Sequence, residues 1–171
     1  MEHLKRLIRD VPDFPKPGIL FRDITPLLRD RQALRDVVEH FATRYEGERI
    51  DAVVAIESRG FILGTAVAYR LHAGLVPVRK RGKLPHRTHQ VACTLEYGAE
   101  VLEIHTDALA PGDRVLLIDD VLATGGTMLA SIELTSRLKA HVVETAFLVE
   151  LSPLNGRAKL APHSVFSLVQ Y

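Results

Sequence analysis

Two short, nearly uninterrupted apolar runs, residues 50–56 (IDAVVAI) and 115–118 (VLLI), restrict the fold of this chain more than any other feature. They are rich in β-branched residues or leucine and too short for a helix, the pattern of strands covered on both faces. Each leads into a small polar turn and then into residues with helical spacing, over about 60–72 and 126–139. Further strand-like runs follow at 75–79 and 142–150, with a last short one near 165–169, so a strand–helix–strand unit occurs twice. Parallel strands need such crossovers, and the crossovers cover both faces of the sheet. The expected fold class is therefore α/β, a mainly parallel central sheet flanked by helices.

The remaining segments read less regularly. Leu4, Leu7 and Ile8 predict a short N-terminal amphipathic helix. Residues 12–26 (PDFPKPGILFRDITP) look too proline-rich for regular structure, yet Phe14, Ile19, Leu20 and Phe21 predict an ordered loop with an apolar side, either wrapping or a lid. Leu34, Val37, Val38, Phe41, Ala42 and Tyr45 follow helical spacing over 31–45. Residues 79–90 (RKRGKLPHRTHQ) are basic and aperiodic, which predicts a long exposed loop, and 91–105 predict a hairpin around Tyr97-Gly98.

At 171 residues the chain is expected to form one domain, large enough to bury roughly two thirds of the surface of its unfolded form. Lys plus Arg (22) nearly cancels Asp plus Glu (21), so no global basic field exists to recruit nucleic acid. The single cysteine, Cys93, has no partner for a disulfide or a cysteine-based zinc site; it reads as a small apolar filler in a reducing compartment. No apolar run approaches the ~20 residues that span a bilayer, and the first residues lead into no signal-peptide core, so a cytoplasmic protein with no membrane partner is expected.

Ligands of open parallel sheets bind beyond the carboxyl ends of the strands. Two turns lie there: residues 57–60 (ESRG) and 119–127 (DDVLATGGT). Thr124-Gly125-Gly126-Thr127 offers hydroxyls and free backbone N–H groups at a helix start, a cradle for phosphate and equally an ordinary N-cap. The chain contains neither GxxxxGKS nor GxGxxG, so Walker-type and dinucleotide sites are unsupported. Asp119 and Asp120 would repel a phosphate they touched; they suit hydroxyls or a divalent cation, or are simply solvated loop acids. A sugar phosphate meets both requirements. His86 and His89 lack the further ligands a metal site needs.

Residues 115–127, a hydrophobic strand, two acids and a small-residue loop ending Thr-Gly-Gly-Thr, closely resemble the phosphoribosyl-pyrophosphate motif of type I phosphoribosyltransferases. The resemblance spans nearly the whole chain and is greatest to the adenine-specific members, through FPKPGILFRDITPLL, ESRGF, RKRGKLP, LEYG with LEIH, IDDVLATGGTM, and the tail from LAP to SLVQY. It implies the type I fold over residues 1–171, with an N-terminal hood at about 10–30 and a flexible loop and hairpin at about 80–105.

The implied activity is transfer of the 5-phosphoribosyl group from 5-phosphoribosyl 1-pyrophosphate to adenine, giving AMP and pyrophosphate in purine salvage. Rival readings are a phosphoribosyltransferase for another purine and a non-catalytic sensor of the donor. By the same resemblance Asp119 and Asp120 address the ribose hydroxyls, and Ala123, Thr124, Gly125, Gly126 and Thr127 wrap the 5′-phosphate. Glu57, Ser58, Arg59 and Gly60 meet pyrophosphate, with a non-proline cis peptide at Glu57-Ser58; Lys80 and Lys83 neutralise the leaving group from a closing loop. Glu96 acts as the general acid/base, with Arg59, Asp119 and Asp120 completing the catalytic set, and Tyr97 orders its loop. Phe21 stacks on the base, while the Leu20 carbonyl and the Arg22 N–H read its amino edge. Magnesium is held mainly by substrate and water, with no certain protein ligand, and a homodimer is expected.

Overall fold

The structure, a computed structural model, describes residues 2–95 and 98–171. Its elements are α1 (Glu2–Lys5), β1 (Arg9–Pro12), β2 (Leu20–Asp23), α2 (Thr25–Arg29), α3 (Arg31–Tyr45), β3 (Ala52–Ile56), α4 (Arg59–Leu71) and β4 (Gly74–Lys80). There follow β5 (Thr88–Leu95), β6 (Gly98–His105), β7 (Arg114–Leu122), α5 (Gly126–Arg137), β8 (His141–Glu150), α6 (Gly156–Lys159) and β9 (Val165–Gln170).

Seven strands form one sheet in the order β5-β6-β4-β3-β7-β8-β9. β3 pairs in parallel with β4 and β7, β7 with β8, and β8 with β9; only the β5–β6 hairpin and its junction with β4 are antiparallel. This is the mainly parallel α/β class expected. Every residue of β3 is buried, which is why its sequence shows no polar alternation.

The two-residue period of strands divides the core into two layers. Val53, Ala55, Leu116 and Ile118 face a layer containing Phe41 of α3 and Leu63 and Val67 of α4. Val54, Ile56, Val115 and Leu117 face a layer containing Met128, Ile132 and Leu134 of α5. Full burial of a side chain such as Phe41 stabilises the fold by about 1.5–3 kcal/mol. α4 rides directly on β3: a Cβ at Gly64 would stand 2.5 Å from Ala55 Cβ. The start of α4 is thereby fixed above the carboxyl end of β3.

The local expectations need three corrections. Residues 12–26 are irregular only in part, over 13–19, because β1 and β2 pair antiparallel from Arg9↔Asp23 to Pro12↔Leu20. Pro15 and Pro17 fall in the connecting turn, where they remove no ladder hydrogen bond; Gly18 sits there at φ +86 and donates its N–H to Asp13 Oδ1 at 2.7 Å. The basic loop is shorter than 79–90, since Arg79 and Lys80 pair with Glu103 and Leu102 and β5 starts at Thr88. Charge and aperiodicity describe side chains; they do not reveal that β6 offers these backbones a partner. The N-terminal helix is a single turn, although Leu4 and Ile8 are buried as its spacing implied.

Candidate active site

β7 continues in register with β8 to Leu122↔Glu150, so the strand that ends in Asp119 by its sequence runs on through Asp120, and both acids are strand residues. Continued pairing fixes their backbone. Asp120 is 4% exposed, and Arg59 Nε stands 2.5 Å from its Oδ2 as an ion pair without hydrogen-bond alignment. Asp119 Oδ1 accepts the Asp120 N–H at 2.9 Å. Burial, and then the neighbouring carboxylate, raise the Asp119 pKa well above the ordinary range. Burial also raises that of Asp120, against the pull of the Arg59 guanidinium.

Beyond β7 the chain turns at Gly125, φ +80, into α5. No side chain caps this helix, so the first-turn N–H groups that neither Thr124 nor Thr127 satisfies are available to an anion. A hollow of about 210 Å³ lies there, lined by Ala123, Thr124, Gly125, Gly126 and Thr127 and floored by Val121, Met128 and Phe147. Asp119 forms one side.

The hollow shares Asp119, Val121, Ala123 and Thr127 with a larger cavity of about 780 Å³. Leu20, Phe21 and Arg22 of β2 line that cavity, as do Glu57, Ser58, Arg59, Lys80 and Asp120. Gly60 lies behind the wall: a Cβ on it would stand 2.9 Å from Asp119 Oδ1, so its lack of one lets the start of α4 approach β7. The Glu57–Ser58 peptide is cis, as the resemblance implied.

Glu57 is engaged by the protein itself. Its carboxylate accepts the Lys80 N–H at 3.0 Å and the Arg79 guanidinium at 3.2 and 3.3 Å. Partial burial pushes its pKa up, but those donors prevail and hold it below the usual value. It ties the turn after β3 to the end of β4. Lys83 is not in the cavity wall; its carbonyl accepts from Arg79 Nη1 at 3.1 Å. Glu96 and Tyr97 lie outside the described residues.

Among the wall residues that sequence reasoning missed are Cys93, Glu100 and Leu102 of the β5–β6 pair. Lys80 Nζ forms an ion pair with Glu100. Cys93, its thiol pKa raised by burial, faces Glu100 across the β5–β6 ladder. Strand alternation counted outward from LEYG would have flagged both. No cluster of three metal-ligating side chains occurs among the described residues, His86 and His89 included.

The hood is held at both ends. Phe14 meets Phe21 edge-on at 5.1 Å, and the Arg59 guanidinium lies 4.8 Å from the Phe21 ring centroid. Arg22 pairs with Asp10 and lies 3.8 Å over the Tyr171 ring. Arg59 thus spans from the acid pair to the aromatic hood.

The chain is similar over its whole length to proteins of one kind. The family described as the phosphoribosyl transferase domain matches residues 25–167. The adenine phosphoribosyltransferase of Pelobacter propionicus is 53% identical over 171 residues, covering 100% of this chain and 99% of the relative. The solved adenine phosphoribosyltransferase of Thermoanaerobacter pseudethanolicus superposes with a TM-score of 0.96 at 48% identity, covering 99% of both chains. That of Saccharomyces cerevisiae, solved with adenine and D-2,5-dideoxy-2,5-imino-altritol 1,6-bisphosphate, superposes with a TM-score of 0.92 at 38% identity, covering 98% of this chain and 97% of that one. Identity at this level across the full length leaves no separate segment to explain: the chain belongs to the phosphoribosyltransferase family, among the adenine phosphoribosyltransferases.

Proposed function

We propose that this chain transfers the 5-phosphoribosyl group from 5-phosphoribosyl 1-pyrophosphate to adenine, giving AMP and pyrophosphate in purine salvage. The observation that carries the reading is a pair of adjoining cavities with shared walls, which bring together an uncapped helix start, an acid pair, a guanidinium and an aromatic hood. The full-length similarity to adenine phosphoribosyltransferases supports it.

The 5′-phosphate accepts N–H groups from residues 123–127, where the α5 dipole favours an anion. Asp119 and Asp120 accept the ribose hydroxyls. Charge developing at the anomeric carbon is stabilised by these carboxylates, and the departing pyrophosphate by Arg59, Lys80 and the backbone of 57–60. Lys83 joins them when the loop carrying it swings inward. Adenine stacks on Phe21 and is held in line with the anomeric carbon. The Leu20 carbonyl accepts its amino group; Pro12, the register partner of Leu20, has no N–H to occupy that carbonyl. Glu96 takes the imidazole proton as the ring nitrogen attacks.

Magnesium fits this donor set as an ion carried by its substrate, since two carboxylates lie beside the space and no three-ligand cage occurs among the described residues. When bound, the ion neutralises leaving-group charge. Cys93, unpaired and buried, supports a reducing, cytoplasmic setting. No helix is long and apolar enough to cross a membrane among the described residues. The exposed apolar side chains Ile62, Tyr69 and Leu75 support a homodimer across α4 and β4.

The test is direct. Incubated with magnesium and the donor, the protein is expected to release pyrophosphate with adenine and at least about a hundredfold more slowly with hypoxanthine, guanine or xanthine. Silence with adenine, or preference for a keto purine, overturns the reading.

A further inference from the structure

The segment between β8 and β9 contributes only Leu151 to the cavity walls, yet it meets the turn after β7 at the limit of atomic contact. A Cβ on Gly156 would stand 2.2 Å from the Ala123 carbonyl oxygen. One on Gly125 would stand 2.9 Å from the Gly156 carbonyl oxygen. Backbone here packs on backbone with no side chain between, a contact only glycine permits. Gly156 is buried while Asn155, Arg157 and Ala158 beside it are exposed.

α6, four residues long, cannot hold itself in place; isolated turns of helix do not persist in water. Arg157 holds it. Its Nε donates to Glu150 Oε1 at 3.0 Å, its Nη2 to Glu150 Oε2 at 2.5 Å and its Nη1 to the Val165 carbonyl at 2.6 Å. Glu150 also accepts from the Ser167 hydroxyl and is 6% exposed. Such a two-pronged guanidinium–carboxylate contact fixes orientation as well as distance. Glu150 ends β8, and its register partner is Leu122, the residue before Ala123. One carboxylate therefore links the strand that delivers the loop to the turn that backs it.

We propose that Arg157 is a positioning residue for the transfer reaction: clamped to Glu150, it sets α6 as a back-stop against which, through Gly156, the backbone of 123–127 is held in its anion-binding shape. The inference rests on reading 123–127 as the 5′-phosphate site. A side chain serving only general stability would weaken all ligands alike; this one acts on the phosphate of the sugar and not on pyrophosphate, which binds at the start of α4.

Gly156→Ala keeps the Arg157–Glu150 contact and adds one methyl where the backbones touch. With α6 clamped, the loop is the side that yields. Titrating the full chain with AMP and separately with pyrophosphate is expected to show the AMP Kd, and the KM for the donor, raised about tenfold, with the pyrophosphate Kd unchanged. Combining it with Arg157→Ala lets α6 retreat, so the loss of AMP affinity in the double variant is smaller than the product of the two single losses. Arg157→Lys, which keeps a charge near Glu150 without the paired contact, reads the same split between ligands if Gly156→Ala does not fold. Unchanged AMP affinity, or equal losses for AMP and pyrophosphate, overturns the inference alone. An unmodified chain that binds no AMP overturns the parent reading and the inference with it.

Discussion

Asp119 works under opposed demands. In the proposed reaction it stabilises developing positive charge only when ionised, yet burial and the adjacent Asp120 raise its pKa well above the usual 3.8. A carboxyl whose pKa rises on folding stabilises the fold fully below its unfolded pKa, and that contribution is lost as pH climbs through the raised folded value. At neutral pH an ionised Asp119 is therefore a burden on the fold. Asp119→Asn keeps an acceptor for the Asp120 N–H and removes the charge. It is expected to raise Tm near neutral pH, with the gap closing toward acid, while kcat/KM falls by about a hundredfold or more. Melting curves across pH and a pyrophosphate-release assay check both halves; a lower Tm at neutral pH would defeat the argument from burial. Arg59 relieves part of this burden at Asp120, which explains its place between the acid pair and Phe21.

Among the elements, the β1–β2 hairpin is the one whose role is least visible in its composition. Its prolines suggest irregularity, but they occupy the turn and a strand end, and the ladder from Arg9 to Pro12 carries Phe21 to the cavity. The Asp23 carboxylate accepts the Thr25 N–H and hydroxyl, both at 2.9 Å, joining the hairpin to α2. The Thr25 donors hold the Asp23 pKa below its ordinary value. A base stacked on an aromatic ring gains about 1–3 kcal/mol, so Phe21→Ala is expected to raise the adenine KM by about tenfold or more while the donor KM moves little. Initial rates with each substrate varied in turn separate the two. Equal shifts in both constants would mean that Phe21 serves the hood's packing rather than the base.

Over the whole molecule, one sheet face is covered by α3 and α4 and the other by α5, yet α4 still presents apolar side chains outward. Ile62 and Tyr69 stand two turns apart on one stripe of the helix, and Tyr69 is 85% exposed. Leu75 on the neighbouring β4 is also exposed. If a second copy covers this face, Tyr69→Lys is expected to shift the protein toward the monomer in sedimentation velocity and to make Tm depend on concentration. An unchanged dimer would place the interface elsewhere.

What the sequence by itself determined follows from periodicity and local chemistry. Apolar runs at 50–56 and 115–118 announced buried parallel strands, because a strand covered on both faces cannot alternate. Asp119-Asp120 before Thr124-Gly125-Gly126-Thr127 pointed to a sugar phosphate, because such a ligand offers hydroxyls to carboxylates and an anion to the cradle, while a divalent cation or ordinary loop acids stayed open. Tertiary structure decided what depends on residues distant along the chain. The Glu100 ion pair with Lys80 and the burial of Cys93 exist because β6 lies against β4 and β5. Glu57 faces Arg79 because β3 lies beside β4. Gly156 touches Ala123, and Arg157 reaches Glu150, because β8 lies beside β7. Local sequence encodes which way a strand faces; only the packed sheet sets which strand stands beside it.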